Sequence, residues 1–363
     1  MNIDALIEAG LYDPDGPGAS DRLALLEHLD SQGVGMDELV EADARGRLVF
    51  AVSDRALFPS GDLLTVKEVA DGAGVTLERV VRLRMAAGLP ADPMSVVTAG
   101  FAGTIGAFED AAAVFGEEAT LAFTRVVGAA VRRITEAATT LFSAEVAPEL
   151  TTELQYAQAT EMARGLAATL PPVMEALLWE HWYDLGREPA GAGLARSHAG
   201  EERHLAVGFV DLAGSTAWSE ELSLRDHAVA LARFDAAAWN AAVTHGARVV
   251  KMIGDEAMFV AADPAGLVRA ALELCRIVHD DPDLPESRGA ISYGSVLSRD
   301  GDYFGSIVNL ASRCVRLARP GSVVVTDNAR HELEASDWAR GFEPQPPQVV
   351  AGLSDPVTVF RVA

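Results

Sequence analysis

The rhythm of apolar and polar positions changes near residue 204. Before it, apolar residues recur at helical spacing: Leu23, Leu26 and Leu29 mark a helix over 21–32, which Gly33 closes. A second helical unit runs from Met36 to about Ala44, and 48–52 (Leu-Val-Phe-Ala-Val) reads as an extended piece. Thr65-Val66-Lys67-Glu68 is a capping-box pattern, in which hydroxyl and carboxylate satisfy the first helical amides reciprocally. That helix ends around 71–74. Thr76 opens another that runs to Ala87, closed by Gly88 and stopped by Pro90. From Met94 to Trp182 the chain is Ala-rich and helical, interrupted near Ala147-Pro148 and Pro171-Pro172. Residues 173–182 are apolar on most faces, so that helix needs cover on several sides, within its domain or in a dimer.

After residue 204, strand runs alternate with helices, the mark of an α/β-type domain. The apolar run 205–210 ends in Asp211, and Leu212-Ala213-Gly214-Ser215-Thr216 turns into a helix. An amphipathic helix over about 222–244 leads to a hairpin at 249–260, turned by Gly254-Asp255. A helix at 265–279, a strand at 288–298, a helix carrying Asn309 and Arg313, and a final strand at 356–362 complete the pattern. The Gly-Pro-Ala stretch 186–194 reads as a boundary. The expected organisation is a helical domain at 1–185, a linker at 186–202 and a second domain at 203–363.

Composition narrows the partners. A net charge of −24 over 363 residues opposes general affinity for nucleic acid or anionic membranes. It bears on the pair of helices at 65–87, which has the outline of a helix-turn-helix with Arg79, Arg82 and Arg84 on its second member. The acidic surroundings favour a compact hairpin with solvated arginines over a DNA-reading helix. Cys275 and Cys314 lie in apolar helical contexts and read as small core residues in a reducing compartment. No basic leader with a cleavage site and no long uncharged apolar run appears, so a cytoplasmic protein without stable membrane insertion is expected. Among the many small and apolar residues of the first half, plain core is the expectation and a lipid pocket the alternative. His181, His198 and His204 bracket the linker, as scattered surface residues or as groups that bind protons near neutral pH.

Three stretches carry candidate chemistry. Lys251, one of two lysines in the chain, stands in the middle of an apolar strand, where it either blunts a sheet edge or meets a partner. Asp211 at a strand end, which could equally be a helix N-cap, comes side by side with Asp255 at the hairpin tip. Two hard carboxylates without a His or Cys cluster suit Mg²⁺ or Mn²⁺ and a phosphate substrate. Asn309 and Arg313 are four apart and share a helix face, able to hold a sugar and an oxyanion, or to act as a cap and a surface ion pair.

Together, Phe-Val-Asp211-Leu-Ala-Gly-Ser-Thr, Val-Lys251-Met-Ile-Gly-Asp255-Glu-Ala-Met and Gly-Asp302-Tyr-Phe-Gly-Ser-Ile-Val-Asn309-Leu-Ala-Ser-Arg313 resemble the catalytic signature of class III adenylate cyclases. The resemblance covers about 203–363, and the first half is similar to the helical regulatory domain ahead of some soluble bacterial members. It implies an α+β catalytic domain with a ferredoxin-like βαββαβ core behind a mainly α-helical regulatory, autoinhibitory domain. It further implies that Asp211, Asp255 and the Leu212 carbonyl hold two Mg²⁺ or Mn²⁺ ions, and that Lys251 and Asp302 read adenine. Asp300 is the alternative base reader. Asn309 would orient the ribose and Arg313 would stabilise the α-phosphate. The implied reaction converts ATP to 3′,5′-cyclic AMP and pyrophosphate at sites shared across a homodimer. The alternatives are a guanylate cyclase, or a helix-turn-helix regulator with a nucleotide-sensing second half.

Overall fold

A computed structural model describes residues 2–57, 64–187, 202–336, 338–350, 352 and 355–363. The chain divides into two units, Met1–Leu185 and Gly186–Ala363. Most of the linker, with His198, lies outside the described residues.

In the first unit the local signals act as their chemistry dictates. Helices Ala19–Ser31 and Met36–Ala44 form where apolar periodicity marks them. Thr65 caps Val66–Ala73: its hydroxyl accepts from the Glu68 amide at 3.1 Å, and the Glu68 carboxylate accepts from the Thr65 amide at 2.7 Å. Thr76 caps Leu77–Ala86. Two apolar clusters hold the unit together, one around Leu25, Leu26, Leu29 and Leu48, the other around Val66, Val80, Leu83 and Phe108. The extended piece expected at 48–52 is absent. Leu48–Phe50 is instead a 3-10 turn running into helix Ala51–Leu57, because its apolar residues pack inward on the first cluster. Pro171 and Pro172 open helix Leu170–Arg187, where a missing amide hydrogen leaves no bond unmade. That helix leaves Leu177, Leu178, Trp179 and Trp182 more than half exposed.

The arginines of the helical hairpin are not solvated as expected. Arg79 pairs with Glu109 and Glu117, and Arg82 with Glu117 and Glu118. Arg84 is buried, donates to the Pro90 carbonyl at 2.6 Å and lies over the Phe101 ring. Their partners are 30 or more residues away or reached by a chain reversal, which no local pattern reports. Two short strands, β1 (Leu64–Thr65) and β2 (Val96–Val97), pair antiparallel beside them.

The second unit is one mixed sheet of β3 (Glu202–Leu212), β4 (Arg248–Ile253), β5 (Glu256–Ala261), β6 (Ser287–Arg299), β7 (Asp302–Phe304), β8 (Val323–Thr326), β9 (Phe342–Pro344) and β10 (Val359–Val362). The strand order is β4-β5-β3-β6-β8-β10-β9, with β7 hairpinned onto β6. With helices Leu224–Thr244 and Pro264–Asp280, the first four strands form a βαββαβ unit whose third strand inserts beside its first, the ferredoxin-like arrangement. Among the described strands only β6 and β8 pair in parallel; the alternation of strand and helix hides a sheet that is otherwise antiparallel.

Strand β3 lies between β5 and β6 and is covered on both faces, which explains its unbroken apolar run. Ala206, Val210 and Leu212 face Phe234, Leu267 and Leu274 of the two long helices. Leu205, Val207 and Phe209 face Ala311, Cys314 and Val315 on the other side. Both cysteines are buried thiols.

Candidate active site

The end of β3 carries Asp211, whose cross-strand neighbours are Glu256 on β5 and Arg288 on β6. The Leu212 amide donates to the Asp255 carbonyl at 3.1 Å, which ties the β4–β5 turn to the end of β3. Gly254 turns there with φ +65, a conformation that side-chain-bearing residues rarely adopt. Asp211, Leu212 and Asp255 therefore line one pocket of about 400 Å³, together with Gly214, Ser215 and Thr216.

Arg288 is the residue that the sequence reading missed. Its guanidinium holds Asp211 in a two-pronged pair, Nε to Oδ1 at 2.9 Å and Nη2 to Oδ2 at 3.2 Å. The signal in the sequence was an arginine at the start of an otherwise small and apolar strand. Glu256 was missed as well. Its carboxyl is pushed up to about 7, first by burial and then by the charges of Asp211 and Asp255, with Arg316 opposing. Three carboxylates converging at one pocket suit a hard divalent cation, whose oxygen-rich preference the donors Asp211, Asp255 and the Leu212 carbonyl meet. No group of three or more His, Cys, Asp or Glu side chains with metal-binding geometry occurs among the described residues, so a cation here would rest on two carboxylates plus backbone and substrate oxygens.

The base-reader candidates form a separate group. Lys251 Nζ pairs with Asp302 Oδ2, while Asp302 Oδ1 accepts from the Tyr303 amide at 2.8 Å. Asp300, the alternative reader, sits at the hairpin tip with φ +55 and pairs with Arg299 instead. A β-bulge between Val249 and Lys251 makes the first pair reachable. Val249 stands opposite Phe259 on the face of the long helices, whereas Lys251 stands opposite Met258 on the other face, towards β7. Asn309 and Arg313 are exposed on helix Ser306–Cys314. Neither lines the Asp211 pocket; Ser312, Val315 and Arg316 from that helix and the turn after it do. One chain thus brings Asp211 to Asp255 and Lys251 to Asp302, and keeps Lys251, Asp302, Asn309 and Arg313 out of the acidic pocket.

A family model described as the adenylate cyclase regulatory domain matches residues 1–184, half of the chain. The chain belongs to the adenylate cyclase family. An uncharacterised protein of Mycobacterium tuberculosis is 31% identical over 370 residues, covering 100% of this cyclase and 94% of the relative. A pH-sensitive adenylate cyclase of the same species is 29% identical over 370 residues, covering 99% and 92%. Among solved structures, the adenylyl cyclase CyaB from P. aeruginosa matches with a TM-score of 0.40 and 21% identity, over 46% of this chain and 96% of that one.

Two features of the candidate site give testable outcomes. A Cβ on Gly352, whose φ is +76, would come within 2.9–3.1 Å of the Arg313 guanidinium. Gly352→Ala should displace Arg313 and lower kcat at least tenfold, by analogy with a misaligned charge-stabilising group, while leaving KM for nucleotide little changed. Steady-state kinetics of the full chain checks this. For Glu256, a pKa raised from 4.5 to about 7 in the fold means the protonated form favours folding. That contribution is fully present below pH 4.5 and is lost as pH rises through about 7. In chelator-treated protein, Glu256→Gln should match wild type at pH 4.5 and be more stable at pH 8 by about 1–2 kcal/mol, the value for a partly solvent-screened carboxyl. Denaturant unfolding at the two pH values measures it.

Proposed function

We propose that the protein is a regulated adenylate cyclase that converts ATP to 3′,5′-cyclic AMP and pyrophosphate at sites shared between two copies of the chain. The observation that carries this reading is the sorting of the candidate residues into two sets. Asp211 and Asp255 line the acidic pocket, whereas Lys251 with Asp302 and the helix of Asn309 and Arg313 lie outside its lining, and the two sets would be half-sites of complementary chemistry. A two-fold pair of chains would join each half to the other, giving two equivalent sites. The apolar face of helix Leu170–Arg187 supports pairing, since its Leu177, Leu178, Trp179 and Trp182 are each more than half exposed.

Asp211, Asp255 and the Leu212 carbonyl would hold two Mg²⁺ or Mn²⁺ ions. When bound, such ions acidify the ribose 3′-hydroxyl and neutralise the triphosphate. Asp211 would exchange its Arg288 partner for the cation, freeing a guanidinium beside the phosphates. Lys251 would donate to adenine N1 and Asp302 would accept from the N6 amine. The Tyr303 amide fixes the orientation of that carboxylate. Guanine offers a carbonyl where adenine offers an amine, and a carbonyl opposite Asp302 repels, so ATP is favoured over GTP. Asn309 would orient the ribose, and Arg313 would stabilise charge on the α-phosphate as the 3′-oxygen attacks and pyrophosphate leaves.

The decisive experiment incubates purified full-length protein with Mn²⁺ and either ATP or GTP and identifies the product. Cyclic AMP from ATP is expected; cyclic GMP from GTP would assign the guanylate reading instead. Asp211→Ala and Asp255→Ala should each abolish turnover. Mixing Asp255→Ala chains with Arg313→Ala chains should restore about a quarter of wild-type activity, the statistical share of intact shared sites. No recovery would count against sharing.

We also infer that the helical unit controls activity and responds to protons. The whole-length relative named as pH-sensitive supports this, and His28 Nε2 lies 2.8 Å from Glu161, joining two helices of that unit. His181 is exposed, and His204 on β3 lies beside Ser295 and Tyr293 of β6. Activity measured over roughly pH 5.5–8, where histidine titrates, should differ in profile between the full chain and residues 203–363; identical profiles would remove the regulatory role.

A further inference from the structure

Arg316 lies three residues beyond Arg313 but belongs to a different half-site. Helix Ser306–Cys314 continues as a single 3-10 turn, Val315–Leu317, pinned by the fully buried Cys314 and Val315. The two arginines consequently leave the backbone in different directions. Arg313 packs against Gly352, whereas Arg316 lines the pocket that holds Asp211, Asp255 and Arg288.

Within that pocket the two cations are differently placed. Arg288 is committed to Asp211 through both of its prongs. Arg316 is exposed and makes no carboxylate ion pair within 4 Å among the described residues, although its charge is felt at Glu256. A guanidinium on the wall of an acidic pocket, with its donors uncommitted, is suited to a multiply charged phosphate group that arrives with counter-charge of its own.

We propose that Arg316 is a binding residue for the pyrophosphate end of the nucleotide, acting in the pocket of its own chain. This rests on the reading of the protein as a cyclase with shared sites. One short helix then arms both sites of a dimer, with Arg313 serving the partner's pocket and Arg316 its own. The chemical class it takes is a di- or triphosphate, as the substrate's tail before the reaction and as the free product after it.

Arg316→Ala and Arg316→Lys in the full chain test the assignment. For Arg316→Ala, KM for ATP and the inhibition constant of added inorganic pyrophosphate should both rise about tenfold, the loss expected for one charge-assisted contact, with a smaller change in kcat. Calorimetric titration with inorganic pyrophosphate in the presence of Mg²⁺ should weaken by the same factor, and Arg316→Lys should recover part of it. Mixed dimers identify the half-site. Arg316→Ala chains mixed with a large excess of Arg313→Ala chains should show a normal KM, because nearly every active site then lies in a mixed dimer and joins an intact pocket to an intact Arg313. Mixed with the same excess of inactive Asp255→Ala chains, they should keep the raised KM. Unchanged pyrophosphate binding would mean that Arg316 only balances the charge of Glu256, and a normal KM in the second mixture would assign it to the partner's site; either overturns the proposal. Wild-type protein that turns over no ATP would instead refute the cyclase reading, and the pyrophosphate titration would still decide whether Arg316 binds the anion.

Discussion

The antiparallel pairing of β3 with both β5 and β6 is the constraint on which the rest depends. It fixes Asp211 between Glu256 and Arg288 and brings the β4–β5 turn, with Asp255, to the same end of the sheet. A slip of one residue in either ladder would send Asp211 to the opposite face. The register is held by burial on both sides, since Phe209 and Val210 point into different apolar clusters and neither can turn out. The chemistry of the pocket is thus fixed by packing well away from it.

That fixed arrangement carries an electrostatic cost. Asp211, Asp255 and Glu256 repel one another, and the fold answers in two ways: Arg288 neutralises Asp211, and Glu256 tends to keep its proton. Both answers are provisional in physical terms. A divalent cation between Asp211 and Asp255, as proposed, would replace them with a stronger one. The half-exposed Lys251–Asp302 pair has the same character, since each partner presents the hydrogen-bonding group that a base edge would need.

What could be read from the chain divides by range. The Thr65–Glu68 box and the Gly254 turn are local, and the sequence states them outright. The three signature stretches also identify the family, because their order and spacing are features of one dimension. Residues 48–52 misled because a short apolar run has no period long enough to separate strand from helix. Arg288 with Asp211, 77 residues apart, and Arg79 with Glu109 and Glu117 could not be read, because each pair exists only once distant strands or helices have packed. The missed residues are all charges whose partners are set by tertiary structure.

Lys251 shows how local and distant requirements meet. In a regular strand it would share a face with Val249 and point at the long helices, where an ammonium would be buried without a counter-ion. The bulge between the two turns Lys251 to the face of Met258, on the side of β7, and there Asp302 meets it. The bulge gives up one step of a regular ladder, and the ion pair on a partly exposed face replaces what a buried, unpaired charge would have lost. An edge strand that only needed a blunting charge could have carried lysine on its exposed face without any bulge. The irregularity in β4 therefore belongs to the pairing with Asp302, and the position of the lysine is set by the residue it must reach 51 positions later.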